Sequence, residues 1–222
     1  MDWSALRVSL WLGAGTIAFL LPVGIWCGRL LAVRHFRGKL LVEALVMVPL
    51  VLPPTVLGFY LLVTFGGRSP LGKLFQAVIG QSLPFSFAGL LFASAIANIP
   101  FVIQPIQRGF ETIPADVRDA AACCGLTPWQ RFARIELPLA WPSVLTAAIL
   151  TFAHTLGEFG VVLMVGGNLP GETRTLSIAI YDRMQAFDDR SAGIMAATLL
   201  VVAVVTLMAT TMLSRRVGPR RA

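Results

Sequence analysis

Few residues in this 222-residue chain have the types and spacing that chemistry asks for. His154 and Glu158 stand four apart, on one face if the segment is helical, a spacing that two zinc ligands could use. The further ligands that zinc needs are missing. Cys123 and Cys124 are neighbours with no CxxC spacing and no histidine nearby, and Cys27 lies inside an apolar run. All three read as small buried hydrophobes, not as a disulfide or metal set. Residues 67–74 come within one position of a phosphate-binding loop, but Leu74 stands where Ser or Thr must hold magnesium and no strand precedes it. That stretch reads as a chance match in a Gly/Pro turn. No nucleophile, histidine and carboxylate form a constellation, so the chain is expected to be no enzyme and to bind no metal or cofactor of its own.

The elements that carry these residues are set by composition. Hydrophobic residues make up 56% of the chain and charged residues 13%, with a net charge of +7. Mean hydropathy is +0.78. A soluble domain carries roughly 25% charged residues, about twice what is present. The basic residues sit in short clusters between long apolar runs, which leaves no water-exposed basic face for nucleic acid. The chain therefore reads as an integral membrane protein in contact with lipid. Crossing the bilayer takes about 20 apolar residues. Charge-free stretches of that length predict five spans near 8–28, 44–65, 85–106, 139–158 and 191–213, in one all-helical transmembrane domain covering 1–222. Residues 80–84 read as loop, and the stretch between Glu158 and Glu172 is too short and too glycine-rich to cross. Arg29, Arg34, Arg37 and Lys39, then Arg108, Arg118, Arg131 and Arg134, then Arg215, Arg216, Arg220 and Arg221 hold 12 of the 18 basic residues. The positive-inside rule places these three segments in the cytoplasm and the N-terminus outside, which requires an odd number of spans. The first span is too long in its core, and its basic cluster falls on the wrong side, for a cleaved signal.

Residues 114–138 read as a cytoplasmic helical hairpin. Pro114 suits a first helical position and Asp116 puts negative charge in the first turn. Val117, Ala120, Ala121 and Cys124 recur at helical spacing, and Gly125 supplies a left-handed stop. Thr127, Pro128 and Gln130 then form a capping box that starts a second helix, ended by Leu137 and Pro138 at the membrane surface. Such a hairpin either lies flat on anionic lipid or enters a groove on another protein.

Asp119-Ala120-Ala121, three residues, Gly125, nine residues, then Ile135-Glu136-Leu137-Pro138 resembles the EAA loop of permease subunits of bacterial ABC importers. Asp119 stands where that family usually has Glu, which keeps the charge on a shorter arm. The resemblance implies a type I importer permease fold in the bacterial cytoplasmic membrane. It implies that Asp119, Ala120, Ala121, Gly125, Ile135, Leu137 and Pro138 dock the hairpin on a separate cytoplasmic ATPase, which would bind the ATP and magnesium. It further implies a second copy of this chain, two ATPase subunits and an external binding protein that selects the substrate.

Pro49, Pro53 and Pro54 interrupt the second span, each removing a backbone donor, so the helix must bend or break. Irregular backbone at membrane depth is tolerated against protein or along a water-filled path. Pro53, Pro54 and Thr55, with His154 and Glu158 at the outer end of span four, are thus candidates for a path or gate; a plain packing kink is the other reading. Residues 51–58 and 156–160 are similar to segments of molybdate and sulfate permeases, and 168–175 resembles the molybdate branch. In that last loop Glu172 and Arg174 have either an unassigned role or pair with each other. Molybdate is the expected substrate, with sulfate or tungstate as alternatives. A stand-alone secondary transporter would favour ionisable groups in mid-membrane or two repeated halves, and a scaffold would not need the EAA spacing.

Overall fold

The first apolar run folds as helix α1 (Trp3–Val33), capped by Asp2, whose carboxylate accepts from the Ala5 amide at 3.0 Å and the Ser4 hydroxyl at 2.7 Å. In this computed structural model, which describes residues 1–80 and 82–217, no β-strand occurs among the described residues. Gln81 and the tail residues Arg220 and Arg221 lie outside them. After α1 come α2 (Lys39–Val51), α3 (Pro54–Phe65), α4 (Pro70–Ile79) and α5 (Phe87–Glu111). The hairpin begins with α6 (Ala115–Cys123) and α7 (Pro128–Arg131). A single π turn (Phe132–Glu136) joins α7 to α8 (Leu137–Gly157), and α9 (Gly160–Gly166), α10 (Leu176–Gln185) and α11 (Asp189–Val217) complete the chain.

Among the described residues, four stretches are long and apolar enough to cross a membrane: Trp3–Val33, Phe87–Glu111, Pro128–Gly157 and Asp189–Met208. The bent pair α2–α3 makes up to five if it counts as one span. Helices α1, α5 and α8 pack on one another as the centre of the bundle. Their shared core holds Leu20, Val102, Ile106, Phe110 and Val144. Small residues permit this closeness: a β-carbon on Gly24 of α1 would fall 2.0 Å from Val102 Cγ1. The outward faces stay apolar, with Trp3, Trp11 and Trp26 on α1 and Leu200, Val201 and Val205 on α11 all exposed. Such continuous apolar surface belongs in lipid or against another subunit.

The expected second span is two helices meeting at 107°. The cause is covalent. Leu52 and Pro53 take extended backbone, Pro54 opens α3, and the first bonds of α3 run from Val56 and Leu57 N–H to the Pro53 carbonyl. The stretch 67–74 is not a plain turn. Ser69 caps α4, accepting from the Gly72 amide at 2.8 Å, with Pro70 at the first helical position. Phe75 of α4 packs edge-on against Phe65 while Leu71, Leu74 and Val78 face outward, so α4 is an amphipathic helix.

Candidate functional site

The hairpin is built by local chemistry. Pro114 precedes α6 as its cap, Asp116 occupies the first turn, and α6 stops where Gly125 adopts φ +76°. A β-carbon there would touch nothing within 4 Å, so the backbone conformation alone calls for glycine. Thr127 and Gln130 close both bonds of the capping box: Gln130 N–H donates to Thr127 Oγ1 at 3.3 Å, and Thr127 N–H donates to Gln130 Oε1 at 2.9 Å. The second helix does not end at Leu137-Pro138, as the sequence suggests. The π turn shifts the ladder so that Leu137 N–H bonds the Phe132 carbonyl. Pro138, with no N–H to give, is thereby absorbed into the first turn of α8. Asp119, Ala120, Gly125 and Pro138 lie on the surface or close to it; Ala121 is buried, and Ile135 and Leu137 are at most half-exposed. The small-residue face thus divides, with Ala120 outward and Ala121 inward.

At the root of the hairpin lies a cluster centred on Glu136, whose side chain is fully buried. Arg29 from α1 donates through Nε to Glu136 Oε2 at 2.5 Å, and its guanidinium sits 5.1 Å from the centre of the Phe132 ring. Arg131 Nε and Arg118 Nε lie 3.4 and 3.7 Å from Glu136 Oε1. Arg118 also donates through Nη2 to the Phe110 carbonyl at 2.5 Å, tying α6 to the end of α5.

A second polar group runs through the middle of the bundle. Thr16 Oγ1 on α1 donates to Ser94 Oγ on α5 at 3.0 Å. Asn98 Nδ2 donates to the Ser94 carbonyl and to Thr155 Oγ1, at 2.8 and 3.1 Å. His154 Nδ1 lies 3.2 Å from Asn98 Oδ1, and the His154 ring stacks on Phe101 at 4.1 Å. Glu158 Oε2 stands 3.7 Å from His154 Nε2, while Oε1 accepts from the Val161 amide at 2.9 Å and so caps α9. The sequence suggests that His154 and Glu158 mark the outer end of span four. They stand at the C-terminal end of α8, beside Asn98 of α5. Gly109 faces Ser143 and Asn98 faces Thr155, but α5 continues from Asn98 to Phe87, and there Phe85 N–H bonds the Val165 carbonyl of α9. Helix α8 therefore continues the second arm of the hairpin and ends at Gly157, and α9 follows the break at Glu158.

That break meets the one between α2 and α3. A β-carbon on Gly160 would fall 2.7 Å from Pro54 Cβ. Pro49, Pro54, Leu57, Phe101, His154 and Glu158 share the lining of a cavity of about 80 Å³. Pro53 and Thr55 are exposed beside it. Two helix breaks thus face each other across a small, partly polar space.

The loop after α9 is organised around Arg174, and not by a pair with Glu172. Arg174 Nε donates to Asn168 Oδ1 at 2.6 Å, Nη2 lies 3.6 Å from Asp182 Oδ2, and Nη1 lies 3.9 Å from Asp2 Oδ2. Asn168 Nδ2 bridges both Asp182 oxygens, at 2.8 and 3.0 Å. Glu172 is exposed and lines, with Arg7, Trp11 and Phe87, an open groove. Partial burial pushes the Asp2 carboxyl up, but hydrogen bonds from Ser4 and Ala5 and the charge of Arg174 outweigh it and hold the group below its ordinary 3.8.

Asn98, Glu136 and Arg29 escape the sequence reading as site residues. Asn98 carries a signal, a polar amide in the longest charge-free stretch. Glu136 occupies the variable position of the EAA pattern, where only distant partners give it meaning.

Residues 21–220 match the family described as binding-protein-dependent transport system inner membrane components. The chain is 45% identical over 208 residues to the molybdenum transport system permease protein ModB of Azotobacter vinelandii, covering 94% of this chain and 92% of that one. It is 34% identical to the protein of the same description in Escherichia coli K12, over 96% of this chain and 92% of the relative. Among solved structures, a bacterial ABC transporter that imports alginate superposes with a TM-score of 0.76 at 18% identity, covering 97% of this chain and 79% of that one. The methionine ABC transporter MetNI, in an inward-facing form, gives 0.71 at 19% identity over 98% and 94%. The fold is that of a type I ABC importer permease. The chain belongs to the family of inner membrane components of binding-protein-dependent transport systems; it is a transport subunit and not an enzyme.

Proposed function

We propose that this chain is the permease subunit that moves molybdate across the cytoplasmic membrane by alternating access, driven by a separate ATPase. The observation that carries the reading is the 45% identity to a molybdenum permease along nearly the whole of both chains. A probable sulfate permease from Chlorella vulgaris is 32% identical, but this chain spans only 65% of its length, which favours the molybdate branch. The N-terminus faces out and the hairpin faces the cytoplasm, in keeping with the distribution of basic residues. Two copies pair around a central path, each docking one ATPase through the surface that carries Asp119, Ala120 and Gly125. Ala121, Ile135, Leu137 and Pro138 hold that surface on the fourth crossing. Pro53, Pro54, Thr55, His154 and Glu158, at the two facing breaks, line or gate the path, and a binding protein delivers the anion from outside.

The test is uptake of labelled molybdate in cells lacking this chain and in complemented cells, with sulfate as competitor. Uptake is expected to vanish, to return on complementation, and to survive a tenfold excess of sulfate. Equal competition by sulfate replaces molybdate with sulfate in this reading. A mass measurement of the purified complex is expected to give two permeases and two ATPases.

A further inference from the structure

We propose that Glu136 is a positioning residue for energy coupling, a shared clasp through which displacement of the hairpin is passed to the first crossing. This rests on the reading that the hairpin docks on an ATPase. Its basis is the unequal treatment of two oxygens of one carboxylate. Oε2 is held by Arg29 of α1 at 2.5 Å. Oε1 makes no hydrogen bond, and neither do the two nitrogens that face it, Arg131 Nε at 3.4 Å and Arg118 Nε at 3.7 Å, although all three atoms are buried. Buried polar atoms are seldom left unpaired. An N–H···O bond settles near about 2.9 Å, so a movement of under about 1 Å closes one of these contacts and opens the other. The two rivals stand on opposite arms of the hairpin, α6 and α7, while the other oxygen stays with α1. Oε1 is thus poised between two partners, and an exchange between them changes the angle at which α6 is held against the bundle.

The π turn supplies the placement. One extra residue in that turn rotates α8 by about 100° relative to its setting in a plain helix, and Glu136 is the last residue of the turn. Arg118 is also bonded to the Phe110 carbonyl, so a push on α6 reaches α5 as well. The three guanidiniums come from three elements, and Glu136 is the carboxylate they share.

The test uses the assembled permease–ATPase complex in proteoliposomes, with uptake of labelled molybdate and phosphate release measured together. Glu136→Gln keeps the size and removes the charge, and the ATP hydrolysed per molybdate imported is expected to rise at least fivefold. A side chain that merely held the fold together would lower both rates in proportion and leave this ratio alone. Arg118→Lys and Arg131→Lys keep the charge, remove the Nε–H, and carry the test where Glu136→Gln fails to assemble; each is expected to raise the ratio at least twofold. A ratio within twofold of wild type in every variant that assembles overturns the clasp. A wild-type complex that imports nothing sinks the docking reading instead. In that event hydrogen exchange on the full chain decides: Glu136→Gln is expected to speed exchange of the α6 amides at least tenfold, and unchanged exchange overturns the proposal.

Discussion

At the hairpin end of the bundle one carboxylate, Glu136, faces three guanidiniums; at the opposite end one guanidinium, Arg174, faces two carboxylates, Asp2 and Asp182. The charge ratios are near inversions of each other, and the burial differs. Glu136 is sealed from solvent, whereas the side chains of Arg174, Asp2 and Asp182 keep 26%, 24% and 35% of their exposure. Two unit charges about 4 Å apart interact by roughly 1 kcal/mol in water and about 4 kcal/mol at the effective dielectric near a protein surface. Removing the one carboxylate of the sealed cluster is therefore costly, because it leaves its partners without a counter-charge, while solvent screens the open one. The basic residues also fit the proposed topology, 12 of the 18 lying in the segments assigned to the cytoplasm.

The largest expected effect comes from removing the centre of the sealed cluster. Glu136→Ala leaves three guanidiniums, with 16–25% of their side chains exposed, facing one another without a counter-charge, and a loss of about 3 kcal/mol, the low end for a broken buried pair, is expected. Thermal unfolding of the detergent-solubilised protein measures it. A loss no greater than that of Arg174→Ala would show that burial does not separate the two ends. Next comes Gly125→Val, at the tip of the same hairpin. The left-handed φ costs a β-branched residue about 1–2 kcal/mol, and a β-carbon there meets nothing within 4 Å. Membrane insertion is expected to persist, because the spans do not depend on that turn. ATP-driven uptake is expected to be lost through weakened ATPase docking. Normal uptake with the ATPase still bound would remove the hairpin from the coupling role.

Legibility in the sequence tracks the distance between partners. The turn at Gly125 and the Thr127–Gln130 box depend on neighbours within a few residues, and both can be written down from the chain alone. The break at Pro53-Pro54 is equally plain, since two missing donors cannot be restored by any tertiary context. Glu136 meets Arg29 across 107 residues, and no local pattern announces that pairing. The setting of His154 and Glu158 beside Asn98 and Phe101 is hidden for another reason. It depends on α7, the π turn and α8 running as one helix, whereas Leu137-Pro138 reads as a stop. The rivalry for Arg174 is likewise tertiary: Glu172 lies two residues away, yet Asp2 and Asp182 are brought in by α1 and α10.

Arg174→Ala probes the open cluster and is expected to cost about 1 kcal/mol or less, because solvent screens partly exposed pairs and water replaces the lost partners. The same thermal measurement reads it, and the bundle beneath is expected to stay folded. A loss of several kcal/mol would mean that the 168–175 loop is a structural keystone and that its exposure misleads.

The smallest effect belongs to Asp2 and is a matter of pH. Partial burial of its carboxyl is overcome by bonds from Ser4 and Ala5 and by the charge of Arg174, so the group is held below its ordinary 3.8 in the folded chain. A depressed folded value means that the ionised group stabilises the fold fully above the unfolded pKa. That contribution fades as pH falls through the folded value, where Asp2 takes up its proton and frees both the α1 cap and the link to Arg174. The difference in thermal midpoint between wild type and Asp2→Asn is therefore expected to be constant from pH 7 to about 5 and to shrink below 3.8. In an Arg174→Ala background the shrinkage is expected to be shallower, since one of the causes holding the carboxyl down is gone. A difference that grows as the solution is acidified would reverse the sign of the shift and detach Asp2 from the cluster around Arg174.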